Sequence, residues 1–269
     1  MNDLKKPSPT WYKENFTLAM KNATWVENTL NEVDFIINVM ELSGSERILD
    51  LACGFGRHSI ELAKRGFSVV GIDIASVLIQ EAKRIASSEG LDIEFICADL
   101  REISFYNDFD VVLNMGEGAI GYLENDVENL KIFDLIASSL KPGGKHFMEI
   151  LHADHAEMYF PKKAWYIGEK ALGIEEYLWD KEHRRMLFGG WGFRFGEIAR
   201  KPSDSDILPS STIRAYSLGE VEEILASKQM TIIKTFGNSF GRFSKDRPVS
   251  NREIQLLVYS QKNEGEKQC

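Results

Sequence analysis

The chain has 269 residues, enough for one large α/β domain or for one domain carrying an insertion. Hydrophobic residues make up 43% of it and aromatic residues 11%, which is material for a substantial core. A formal net charge of −9 leaves no broad basic surface for a phosphate backbone, and so argues against a nucleic-acid partner.

In chain order, the opening MNDLKKPSPTW lacks the apolar stretch of a secretory leader, and no later run approaches the roughly 18 apolar residues of a membrane span. Cys53, Cys97 and Cys269 show neither metal-ligand spacing nor an even count. The expectation is a reduced, cytoplasmic protein with no metal, no disulfide framework and no membrane partner.

Val26, Leu30, Val33, Ile37 and Met40 recur at spacings of three and four, predicting an amphipathic helix over 24–42 that stops near Gly44. Ile48–Leu51 reads as a buried strand. A helix through Ser59–Lys64 follows and ends at Gly66, and Ser68–Ile72 reads as a second strand. Ser76 is expected to cap a helix through Ile85 that gives out by Gly90. Strands at 93–98 and 110–115 precede a helix over 126–140, which Lys141-Pro142-Gly143-Gly144 should break before a fifth strand at 145–151.

Strands separated by helices of this length make βαβ units, hence a doubly wound, mostly parallel sheet with helices on both faces. The rhythm changes after about His155. Residues 165–216 carry strand-like signal, with Trp191, Phe193 and Phe195 alternating with Gly192, Arg194 and Gly196. That aromatic stripe reads best as the core of an antiparallel insertion. Residues 201–211 read as a turn-rich loop. A helix resumes after Ser217, where Glu220, Glu222 and Glu223 look like a solvated first turn. Strands at 230–236 and 254–260 follow, too close for a crossover helix and so an antiparallel hairpin. The tail from Asn263 is expected to fray. The division is 1–155, a helical cap and ligand-binding core; 156–215, the insertion as substrate lid or dimer face; and 216–269, the return to the core.

A parallel sheet binds its ligand beyond the carboxyl ends of its strands. Those ends hold Asp50–Gly56, Asp73-Ile74, Asp99-Leu100 and Asn114–Gly118. A dinucleotide is one candidate, but its G-x-G-x-x-G/A pattern would put Ser59 at the third position, and Asp50 would face a pyrophosphate that needs bare N–H groups. S-adenosylmethionine is the other. It has no phosphate and carries a sulfonium and an ammonium, which suit an acidic strand end. In this reading Gly54 and Gly56 admit the methionine portion closely. Asp73 accepts from the ribose hydroxyls, Ile74 and Leu100 sandwich the adenine, and Asp99 takes its amine.

LDLACGFGRHS, Leu49–Ser59, resembles motif I of the class I S-adenosylmethionine-dependent methyltransferases, D/E-x-G-x-G-x-G, with Ala52 at the first glycine. VVGIDIAS, ICADLREI, FDVVLN and LKPGGKHFMEIL resemble the next four motifs in order over 47–151, and STIRAYSLGEVEEIL resembles the late strand–helix unit. WYKENF, with the motif I region, is most similar to a bacterial small-molecule subgroup. The resemblance implies a Rossmann-like seven-stranded sheet with an antiparallel insertion, and methyl transfer to a small-molecule acceptor, nitrogen favoured over oxygen, leaving S-adenosylhomocysteine.

It also implies cofactor contacts from Asp50, Ala52, Gly54, Gly56, Asp73, Ile74, Asp99 and Leu100, joined by Asn114 and Met115 in the loop after strand four. Tyr12 is positioned to cap the cofactor. Arg57 either touches the cofactor or neutralises Asp50. Tyr122 in GEGAIGYL and His152 past strand five are the catalytic candidates, with packed-aromatic and satisfied-histidine readings beside them. The strand-four exit is not Asp/Asn-Pro-Pro-Tyr/Phe, which argues against the amide- and adenine-amine-methylating subclass. The chain is expected as monomer or homodimer. A nicotinamide-dependent oxidoreductase and a non-catalytic S-adenosylmethionine-binding protein are the alternatives.

Overall fold

A computed structural model describes residues 7–198 and 209–265. Most of the turn-rich 201–211 segment, Cys269 and the last residues of the tail lie outside the described residues. The elements are α1 (Thr29–Met40), β1 (Arg47–Leu51), α2 (Arg57–Lys64), β2 (Ser68–Asp73), α3 (Ser76–Ser88), β3 (Glu94–Cys97) and β4 (Phe109–Asn114), followed by α4 (Asp126–Ser139) and β5 (Leu140–Leu151). After α5 (Ala153–Tyr159) come β6 (Lys162–Ile167), β7 (Ala171–Asp180), β8 (Arg185–Arg194) and β9 (Ser211–Arg214), then α6 (Leu218–Ser227), β10 (Met230–Asn238) and β11 (Gln255–Lys262).

A seven-stranded sheet runs β10-β11-β5-β4-β1-β2-β3. β1 lies between β2 and β4 in parallel register, and β11 runs antiparallel to both β5 and β10. The strand order reverses at β1/β4, so the tips of those strands open the crevice where a ligand fits. Ile48, Leu49 and Leu51 are fully buried, as a strand covered on both faces requires. One face packs on Val33, Ile36, Val39 and Phe147. The other packs on Ile132, Phe133, Ile136 and Met148. β6-β7-β8-β9 form a separate antiparallel sheet.

Local differences from the sequence expectation have physical causes. Residues 18–28 form short 3-10 turns, and α1 begins only at Thr29. Trp25 and Val26 turn inward onto Phe55, Ala75 and Leu78, leaving Leu30 exposed. Lys141–Gly144 does not separate α4 from β5. It lies within β5, where the pairing with β4 shifts register between Phe109 and Val111. Ser76 is the first residue of α3 and Ala75 its N-cap, because the Asp73 carboxylate already accepts from the Ala75 N–H at 2.8 Å. Helix α5 is only seven residues long, too short to show a period.

Ser217 and Glu220 form a capping box at α6. Glu220 is no solvated residue; it pairs with Arg184 and Arg214, both at 2.7 Å. In the insertion, Trp191 and Phe193 are half-buried and Phe195 is exposed. The buried aromatic there is Tyr177, stacked between Phe160 and Phe188.

Candidate active site

The turn from β1 into α2 is built around backbone that most side chains resist. Ala52, Gly54 and Gly56 all have positive φ, at 54°, 57° and 76°. Gly56 is doubly constrained, since a Cβ there would stand 2.8 Å from the Phe95 ring. At Gly54 a Cβ would meet only Leu78, at 4.0 Å, because that side of the residue faces a cavity. Asp73, at the tip of β2, reaches across and accepts the Gly54 N–H at 2.8 Å. Its two oxygens are thus fixed by two backbone amides, Gly54 and Ala75. Asp50 is held from below by the Ser59 hydroxyl at 2.6 Å. Burial pushes both carboxyls above their ordinary values, and the amide hydrogen bonds on Asp73 and the nearby His58 for Asp50 oppose it.

The cavity over this turn holds about 690 Å³. One wall is the N-terminal segment, where Trp11, Phe16 and Trp25 line it. Another is the insertion sheet, through Tyr166 of β6, Glu175 and Tyr177 of β7, and Met186 and Phe188 of β8. These two walls hold each other. The Trp11 indole donates to the Thr212 carbonyl at 3.0 Å and the Asn15 amide to the Ser210 carbonyl at 2.6 Å. Trp11 and Phe16 both pack on Tyr122, with ring centroids 5.0 and 5.8 Å away.

The loop after β4 closes the far side. Gly116, Glu117, Gly118, Ala119 and Gly121 all have positive φ, an arrangement held by its neighbours rather than by preference. Asn114 donates to the Gly118 carbonyl and buttresses the loop. Glu149, at the end of β5, accepts the Gly116 N–H at 3.0 Å and the Asn238 amide at 3.2 Å. Asn238 also donates to Gln255 at 2.9 Å, and Gln255 donates to Glu117 at 3.1 Å. On the insertion side, Tyr177 donates to Glu175, and the Tyr166 and Tyr177 hydroxyls lie 3.0 Å apart. Burial raises the Glu117 carboxyl to about 7, with Glu175 adding to it and Gln255 opposing. Glu149 is also raised, by burial and then by Glu32 and Glu117.

Of the residues singled out from sequence, the cavity lining gathers Asp50, Ala52, Gly54, Arg57, Asp73, Met115 and Tyr122. Gly56 sits behind it against Phe95. Arg57 is paired with Glu32 and lies over the Trp25 ring, 5.1 Å from its centre, so its partner is not Asp50. Burial drives the Tyr122 phenol well above its usual range, so it stays neutral. Its hydroxyl donates to the Gly116 carbonyl at 3.3 Å.

The others lie outside the lining. Asp99 is gripped by Arg101, whose Nε is 2.9 Å away; Arg101 also reaches Tyr12, which donates to Glu124 at 2.9 Å. Leu100 is buried in the core and Ile74 packs against it. His152 donates from Nδ1 to the Glu253 carbonyl at 3.1 Å and has Asp154 3.4 Å from Nε2. The sequence reading missed Glu117, Glu149, Glu175 and Asn238. Glu117 and Glu149 sit in the quoted strand-end motifs, and their position at the tips of β4 and β5 was the available signal. Glu175 and Asn238 carry no local signature.

Residues 48–144 match a family model described as a methyltransferase domain. The Bacillus subtilis protein YqeM, which carries a provisional methyltransferase name, is 32% identical over 139 residues, 48% of this chain and 56% of its own length. A tRNA (uracil(54)-C(5))-methyltransferase of Pyrococcus abyssi is 38% identical over 96 residues, 36% of this chain and 24% of its own. The chain thus spans about half or less of the curated relatives it matches. The solved CcbJ methyltransferase of Streptomyces caelestis superposes with a TM-score of 0.74 at 14% identity, covering 95% of this chain and 99% of that one. The seven-stranded core has the class I methyltransferase fold.

Proposed function

We propose that this protein is an S-adenosylmethionine-dependent methyltransferase acting on a small-molecule acceptor, nitrogen favoured over oxygen. The observation that carries this reading is the cavity at the β1 and β2 tips, with Gly54 exposing backbone on one side and the amide-oriented Asp73 carboxylate on the other. The donor set fits the cofactor. Asp73 has lone pairs left for ribose hydroxyls, the bare side of Gly54 admits an amino-acid chain, and Asp50 adds a field that favours its positive groups. The same carboxylates would repel a diphosphate, which disfavours the nicotinamide alternative. When bound, S-adenosylmethionine supplies a methyl group on a positive sulfur, which departs with the bonding pair.

The protein's share is to align the acceptor and exclude water. The N-terminal segment and insertion sheet wall off the cavity from two sides, which supports a small acceptor over a polymer. Tyr122, neutral and packed by Trp11 and Phe16, forms the inner wall where the acceptor and methyl would meet. Ile74, Asp99 and Leu100 at the next strand tips are assigned to the adenine, with Asp99 offering the one Oδ2 lone pair that Arg101 leaves free. In a thermal-shift assay S-adenosylhomocysteine should raise the melting temperature and NAD(H) should not. The opposite pattern would end this reading.

A further inference from the structure

The cavity holds more negative groups than the cofactor needs. Glu32 and Arg57 line the cavity as an ion pair, and the Arg57 charge also reaches Glu149, whereas Asp50, Asp73, Glu117, Glu149 and Glu175 line it without an ion pair among the described residues. Asp50 and Asp73 belong to the β1 and β2 tips, where the cofactor is placed. The other three sit on the loop after β4, at the end of β5 and on β7, and their hydrogen-bond partners are Gly116, Asn238, Gln255 and Tyr177, none of them cationic. A buried carboxylate without a cation is costly, and the molecule that removes the cost carries a positive charge.

A second observation points to a ligand there. Asn238 is 2% exposed, and it lines the same end of the cavity. Its amide nitrogen is shared between Glu149 and Gln255, while its oxygen Oδ1 has no partner among the described residues. An unpartnered acceptor beside carboxylates calls for an N–H donor. The apolar side of this end is aromatic: Phe240 lies 5.7 Å from Tyr166 and 6.3 Å from Tyr177, which stacks on Phe188. Aromatic faces beside an anionic end suit an organic cation.

We infer that the acceptor is a primary or secondary amine that enters as its ammonium ion, is held by Glu117, Glu149, Glu175 and Asn238 Oδ1, and gives a proton to Glu149. This rests on the methyltransferase reading above and names its acceptor class. An ammonium nitrogen has no free pair. One N–H bond breaks, the proton passes to a Glu149 carboxylate oxygen, and the bonding pair stays on nitrogen for the new bond to carbon. Burial makes the Glu149 and Glu117 carboxyls hold a proton more readily than ordinary carboxylates, and an ammonium ion seated beside them favours the ionised form that can take the proton.

The test uses three probes of one shape: phenethylamine, phenethyl alcohol and phenylacetate, titrated into protein saturated with S-adenosylhomocysteine. The amine should bind about tenfold more tightly than either other probe. Glu117→Gln and Glu149→Gln should cut that preference to less than about threefold while leaving S-adenosylhomocysteine affinity intact. The wild-type preference stands as a test even if a variant fails to fold. Equal binding, a preference for the alcohol or the acid, or no binding of the amine overturns the inference. Failure to bind S-adenosylhomocysteine at all would instead overturn the methyltransferase reading beneath it.

Discussion

The floor and the roof of the cavity are built on different principles. The floor, from β1 through α2 to the tip of β2, is one continuous stretch whose shape is set by backbone: left-handed residues at Ala52, Gly54 and Gly56, and Asp73 tied to the Gly54 and Ala75 amides. The roof is assembled from distant pieces. Trp11 and Asn15 dock on Thr212 and Ser210, and Glu27 receives the Glu169 amide at 2.9 Å. The floor's geometry is therefore set locally, while the roof depends on distant parts of the chain meeting.

The sharpest way to break the floor is Gly56→Ala. The added Cβ would adopt a left-handed φ and meet Phe95 at 2.8 Å. Strain and overpacking together should cost about 2–5 kcal/mol, read by denaturant unfolding. Unchanged stability would mean the turn is not built as described. Next in size, Asp73→Ala removes a charge-assisted acceptor and orphans two amides. Calorimetry should show S-adenosylhomocysteine affinity falling roughly 10- to 150-fold, from about 1.5–3 kcal/mol. A loss below threefold would detach Asp73 from the ribose.

The acid-lined side allows a pH test. The folded Glu117 carboxyl titrates at about 7 against an ordinary value of 4.5, so the folded ligand-free protein keeps a proton that the unfolded chain releases. The stability this gives is fully present below about 4.5 and is lost as pH rises through about 7. Glu117→Gln should therefore gain on wild type as pH rises from about 5 to about 8, by a few degrees of melting temperature. A difference that stays flat with pH would remove the desolvated carboxyl. The smallest effect is expected from Ala52→Gly, where relief of a φ of 54° offsets the added chain entropy. Stability should change by less than about 1 kcal/mol.

These regions also differed in what the sequence disclosed. The βαβ order, the mostly parallel sheet and the floor could be read from Asp50, Gly54, Gly56 and Asp73, because alternating apolar runs and glycine turns are local patterns. The Trp191/Phe193/Phe195 alternation revealed a strand but named the wrong buried face, since Tyr177 fills the interior. Glu149 and Asn238 meet only because β11 lies between β5 and β10 in one sheet. No spacing along the chain encodes that meeting. Tyr12 and Asp99 looked independent, yet Arg101 joins them in one network outside the cavity lining. A side chain already engaged by a distant neighbour is invisible to local pattern.

A crystal structure of the protein grown with S-adenosylhomocysteine tests the central claim most directly. It should show both ribose hydroxyls within about 2.5–3.2 Å of the Asp73 carboxylate and the homocysteine arm running past the bare side of Gly54. A nucleoside bound away from these two residues would contradict it.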